Sequence, residues 1–178
     1  NHANTGSGGF TMYNNANSPG ANVQFSPVPT QPAASSLACL SCHDGTVAVH
    51  SYGGTPSSGS SLVSVTNSAN LTKDLSHSHP ISFDYNSTLV SKDKWIWPTD
   101  KTVTPPNSGG GAFVSGNDMS INGFLLGGKN RLECSSCHDV HNQEGSPFDI
   151  INNPKLVKIV GVDADLNGSL LCRACHNK

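Results

Sequence analysis

All six cysteines of this 178-residue chain stand in pairs three positions apart, each pair followed at once by a histidine. The motifs are Cys39-Leu40-Ser41-Cys42-His43, Cys134-Ser135-Ser136-Cys137-His138 and Cys172-Arg173-Ala174-Cys175-His176. Thiols at i and i+3 share one side of a helical turn. They can bond the two vinyl groups of one porphyrin, with the adjacent histidine held over the iron as fifth ligand. The pattern predicts three covalent c-type haems, attached at Cys39, Cys42, Cys134, Cys137, Cys172 and Cys175, with His43, His138 and His176 on the irons. A zinc ribbon needs four ligands per ion, so three pairs leave one over. Histidine supplies 8 of 178 residues, and at that frequency its arrival behind all three pairs by chance is on the order of one in ten thousand. Structural disulfides fit no better, because thiols this close in sequence make redox-active bridges.

Three irons have three sixth positions, and five histidines remain: His2, His50, His77, His79 and His141. With histidines to spare, each iron takes two, none is open to substrate, and the expected work is electron transfer rather than catalysis. Met12 and Met119 are the other candidate ligand type, which would raise the potential. His141 follows His138 by three residues. On a helical turn the two rings share a side, so His141 should serve a different haem and bring two haems close together. His77 and His79, in Ser76-His77-Ser78-His79-Pro80, face opposite ways if the segment is extended. Pro80 biases His79 toward extended geometry, which favours His79 as ligand and leaves His77 spare. For the last position the residues leave His2 and His50 open. A residue so near a terminus is ordered only when something ties it down, and His50 closes a strand candidate.

The elements that must position these residues are short. Only 12% of the chain is charged and 6% aromatic, with 18 Gly and 11 Pro, which is little apolar material for a core of its own. Porphyrins would supply the apolar plates. The expected fold is one trihaem cytochrome c domain over 1–178, mostly irregular coil with short helical turns at the motifs and a few short strands. Residues 1–36, dense in Pro, Gly, Asn and Ser, read as an extended arm, and 37–178 as the haem-binding body. Residues 46–50 and 155–160 are strand candidates, and 53–61 and 105–112 are loops. Cys-x-Ser-Cys-His-Asp recurs at 39 and 134 without any wider repeat.

A net charge of −2 gives no reason to expect nucleic acid, and no apolar run reaches the length of a membrane span. No signal peptide is visible. Covalent haem attachment generally follows export, so a processed, exported chain is expected. Asp163-Ala164-Asp165-Leu166-Asn167-Gly168 resembles the opening of a calcium loop, but Ala174 falls where the chelating glutamate belongs, so a plain turn is favoured. Trp95-Ile96-Trp97-Pro98 could cover a haem or join subunits, with core packing the default. The Asn-x-Ser/Thr sites at Asn70, Asn86 and Asn167 are too common to imply glycosylation.

The stretches Leu40-Ser41-Cys42-His43-Asp44-Gly45-Thr46, His79-Pro80-Ile81-Ser82-Phe83-Asp84-Tyr85, Cys134 through Asn142 and Leu171 through His176 resemble a family of exported multihaem c-type cytochromes. Its members come from metal- and sulfur-respiring bacteria. The resemblance covers about residues 37–178 and implies sixth-ligand roles for His79 and His141. Asn1-His2 resembles a Trp-Asn-His element whose histidine is a ligand, which favours His2 over His50. Many relatives carry a further haem motif ahead of that element, and this chain opens just after that place. Some relatives polymerise into extracellular filaments with a continuous chain of haems. The resemblance thus implies copies of the same chain as partners, with His2 reaching a neighbour's haem in a head-to-tail polymer. Other redox proteins or extracellular acceptors would receive the electrons. The alternatives are a soluble periplasmic shuttle and a multihaem reductase with one open iron.

Overall fold

The computed structural model describes residues 9–13, 25, 27–45, 70–103, 119–139, 157–159 and 169–177. The chain divides into two compact units, Asn1–Pro19 with Val28–Ser82, and Gly20–Pro27 with Phe83–Lys178.

The first unit is organised by helix α1, Ala34–His43. Pro32, whose fixed φ and missing N–H disfavour a helix interior, stands just ahead of it. The N-cap residue Ala33 donates its N–H to the Ser82 hydroxyl at 2.9 Å. At the other end Asp44 N–H closes on Leu40 O at 2.9 Å, and Gly45 leaves in the left-handed region at φ +76°, the usual helix exit for glycine. The helix therefore extends well upstream of the cysteines and into the segment read as arm. Its Ala-Ser-Ser-Leu-Ala lead-in (34–38) carries no proline to stop it. Leu40 is buried with Met12 and Leu75, and Phe10 and Ile81 pack on that cluster. Thr11 forms a parallel bridge with Asp74. The Gln31 amide clamps Phe10, accepting its N–H at 3.0 Å and donating to its carbonyl at 3.2 Å.

The second unit is built on a short antiparallel ribbon, β1 (Phe83–Asp84) with β2 (Arg131–Leu132), in which Phe83 faces Leu132 and Asp84 faces Arg131. The Phe25 ring tilts onto Phe83, centroids 4.6 Å apart. Helix α2, Ser87–Lys92, starts where Asn86 accepts the Leu89 N–H at 3.0 Å, an N-cap in the ordinary sense. A π-helical turn, Ile121–Leu125, is capped by Ser120 accepting the Gly123 N–H at 3.0 Å. It buries Ile121 and Leu125. Helices α3 (Cys134–Cys137) and α4 (Leu170–Cys175) carry the second and third motifs. Helix is thus not confined to the motifs: α2 and the π turn arise from local caps and from burial of Leu89, Ile121 and Leu125.

Of the two strand candidates, 46–50 lies outside the described residues. In 155–160 the described part is 157–159, where Val157 forms a single bridge with His138. Among the described residues no helix is long and apolar enough to cross a membrane.

Candidate functional site

Each Cys-x-x-Cys pair lies on a helical turn, which puts its two thiols on one side. None of the six is joined to another by a disulfide. Cys172 is exposed and the other five are half-buried. The motifs then differ in how the histidine leaves. His43 still belongs to α1, whose last turn it occupies. His138 and His176 instead cap their turns in extended geometry, at φ −111°, ψ 142° and φ −96°, ψ 134°.

The second and third motifs share a backbone device. His138 N–H closes on Cys134 O at 3.0 Å, and His176 N–H on Cys172 O at 2.9 Å. Each histidine then bridges antiparallel to a distant residue, His138 to Val157 and His176 to Ile96. The residue after that partner donates to the carbonyl of the motif's second cysteine: Lys158 N–H to Cys137 O and Trp97 N–H to Cys175 O, both at 2.8 Å. The bridging segments are unlike in sequence, so only the fold reveals the equivalence. Each histidine is pinned at its backbone with an extended exit.

With that exit, the shared-side argument that assigned His141 to a different haem does not apply at His138. The turn ends at Cys137, and the His138 backbone is engaged by Val157. His141 itself lies outside the described residues, as do His2 and His50.

Upstream of the second motif, Glu133 and Ser136 close a capping box, with Glu133 N–H donating to Ser136 Oγ at 2.9 Å. The Glu133 carboxylate, nearly fully buried, accepts from Arg131 Nε at 2.9 Å. In the third motif Cys175 O also accepts from the Tyr85 hydroxyl at 3.4 Å, while that hydroxyl donates to Trp97 O at 2.7 Å.

Burial pushes the Cys175 thiol up to about 12, helped by the Cys137 and Cys172 thiols. Cys137 is raised for the same first reason, with Cys172 and Cys134 adding to it. The thiols of the second and third motifs therefore stand close enough to repel one another when ionised. A nucleophilic redox thiol needs the opposite shift. Among the described residues no three His, Cys, Asp or Glu side chains gather as a metal-ion ligand set.

His79 is exposed, and its Nδ1 lies 2.9 Å from Pro80 O. A carbonyl only accepts, so Nδ1 carries the proton, and in the neutral ring Nε2 holds the lone pair. That is the tautomer of a metal-binding imidazole. His77 behaves differently. It sits in the turn closed by Ser78 N–H to Leu75 O at 3.1 Å, not in an extended segment. It lies near Asp74, whose carboxyl is held low chiefly by hydrogen bonds from Ser76 and also by His77. The Asp74 acceptor, which also takes the Ser76 N–H at 3.0 Å, folds that turn.

Met12 is buried in the core of the first unit, and Met119 is half-buried with its carbonyl bonded to Val103 N–H at 2.8 Å. Trp95, expected in a core, is 57% exposed. Its flanking Ile96 takes the buried place, and Trp97 lies under the Lys101 ammonium at 4.7 Å.

Three contributors were not singled out from sequence. The Pro80 carbonyl was signalled by the His-Pro pair itself. Tyr85 and Lys158 had no local signal, since their partners lie far along the chain.

No protein-family model matches the sequence, and no curated protein matches it.

Proposed function

We propose that this protein is an electron-transfer cytochrome carrying three covalent c-type haems, and that it is not an enzyme. The observation that carries the reading is the use of every cysteine in a Cys-x-x-Cys-His motif. Support comes from the turn beneath each pair. The donor set fits the group: paired thiols on one side of a turn, a histidine directly after, and the raised Cys137 and Cys175 thiols unsuited to redox exchange. Bound haem supplies a one-electron site. The chain's own residues attach it, orient it and fill its axial positions, with His79, His141 and His2 as sixth ligands.

The intact protein, denatured and weighed, tests this. Three haem masses should remain attached, and Cys-to-Ala replacement of both cysteines in one motif should remove one. Attachment of none, or a zinc content that follows the cysteines, contradicts the reading.

We further propose an exported subunit of an extracellular electron-conducting filament, on the resemblance to filament-forming cytochromes and the polar, proline-rich first 36 residues. His2 on a neighbour's haem would make a head-to-tail contact that propagates. Electron microscopy of the purified protein should show fibres, and His2→Ala should abolish them. Fibres with unchanged spectra in that variant would remove His2 from the interface.

A further inference from the structure

The haem reading leaves open which histidine completes which iron, and the first unit narrows it. We propose that His79 is the sixth ligand of the iron held at Cys39, Cys42 and His43. This assignment rests on the haem reading.

The segment bearing His79 is fastened along α1 at both ends. At the helix start, Ala33 N–H donates to Ser82 Oγ at 2.9 Å, and Ser82 is 1% exposed. Deeper along the helix, Leu40, which stands between the two cysteines of the first motif, is buried in one cluster with Met12 and Leu75, and Ile81 packs against that cluster. A third tie joins His43 O to Leu71 N–H at 2.8 Å, just ahead of the same segment. His79 lies between Leu75 and Ser82 and so is carried beside the first motif by contacts on either side of it.

The bracket is also conformationally set. Thr72 and Ser82 hold φ of +59° and +62°, a region that non-glycine residues enter only when surrounding contacts fix them there. Within the bracket, the Nδ1 contact to Pro80 O orients the His79 ring. A backbone carbonyl in this role is the usual orienting partner of a ligating imidazole.

His43 and His79 are both exposed. His77, two residues away, sits in the turn closed by Ser78 N–H to Leu75 O. The other two motifs belong to the second unit.

The test compares variants of the full chain, each with its haem count fixed by intact mass. In the three-haem protein, His79→Met should convert one haem in three from bis-histidine to histidine–methionine character, by low-temperature electron paramagnetic resonance, and raise one potential. His77→Met should change nothing. In a Cys39→Ala/Cys42→Ala protein, which retains two haems, adding His79→Met should have no further spectral effect. His79→Gly should regain the parent spectrum on adding imidazole, which separates lost ligation from a lost fold.

A His79→Met effect that persists in the two-haem protein assigns His79 to another iron and overturns the proposal. So does a three-haem His79→Met protein with every haem still bis-histidine. An unaltered chain that carries no haem overturns the underlying reading, and the assignment falls with it.

Discussion

Lys158 is the cation placed to act on the second motif. Its backbone is bonded to Cys137 O, its ammonium donates to Phe124 O at 3.0 Å, and it stands 5.7 Å from the centre of the Phe124 ring. Burial lowers its pKa, while Asp139 and Cys137 work to keep it charged. A fixed positive charge favours the reduced iron. Lys158→Met should therefore lower one of three potentials and leave the others unmoved, as measured by a spectroscopic redox titration. Tyr85 carries a second prediction. The residue is 2% exposed, and burial raises its phenol well above the ordinary value. A raised folded pKa means stability that is full below about pH 10, the unfolded value, and lost as pH rises toward the folded one. Tyr85→Phe should cost about 1–2 kcal/mol at neutral pH through the lost bond to Trp97 O, and should flatten the alkaline fall in stability. Denaturant unfolding from pH 7 to 11 reads both effects.

Among the elements, α1 depends on its two ends. A Cβ at Gly45 would stand 2.6 Å from the Asn70 amide, and the backbone there is left-handed. Gly45→Ala should destabilise the first unit by about 1–3 kcal/mol, and Ser82→Ala, which frees the Ala33 N–H, by about 1–2 kcal/mol. Amide exchange across α1 would report both. The sequence made the turns at the motifs legible because cysteine spacing and helical geometry are local. The reach of α1 back to Ala34 was less so, since its start is fixed by Ser82, 49 residues on. The β1–β2 ribbon is only two residues long in each strand, too short for alternation to register. Its pairing of Phe83 with Leu132 is a long-range contact that no local pattern encodes. Asn86, noted from sequence only as an Asn-x-Ser/Thr site, caps α2 by accepting the Leu89 N–H. At the site, His-Pro pointed to a directed His79, while the turn that takes His77 aside depended on the Asp74 acceptor for the Ser76 N–H. The shared bridges at His138 and His176 had no sequence signal, because Val157-Lys158 and Ile96-Trp97 have nothing in common but position in the fold.

At the scale of the whole molecule, the described core is a small set of buried side chains such as Leu40, Tyr85, Ile121 and Leu132. On the haem reading, porphyrin surface would supply the apolar material that this chain is short of. Replacing all six cysteines by alanine should leave a protein that unfolds without a sharp cooperative transition, whereas the haem-bearing chain should unfold cooperatively, as scanning calorimetry would record. The same economy bears on function: five histidines beyond the motifs for three vacancies favour closed irons and conduction over ligand chemistry. The most direct measurement is the absorption spectrum of the reduced, assembled protein before and after carbon monoxide. Three covalent bis-histidine haems give a low-spin c-type spectrum that the gas leaves unchanged. No Soret absorbance, or a Soret band that shifts with carbon monoxide, would contradict a fully ligated trihaem conductor.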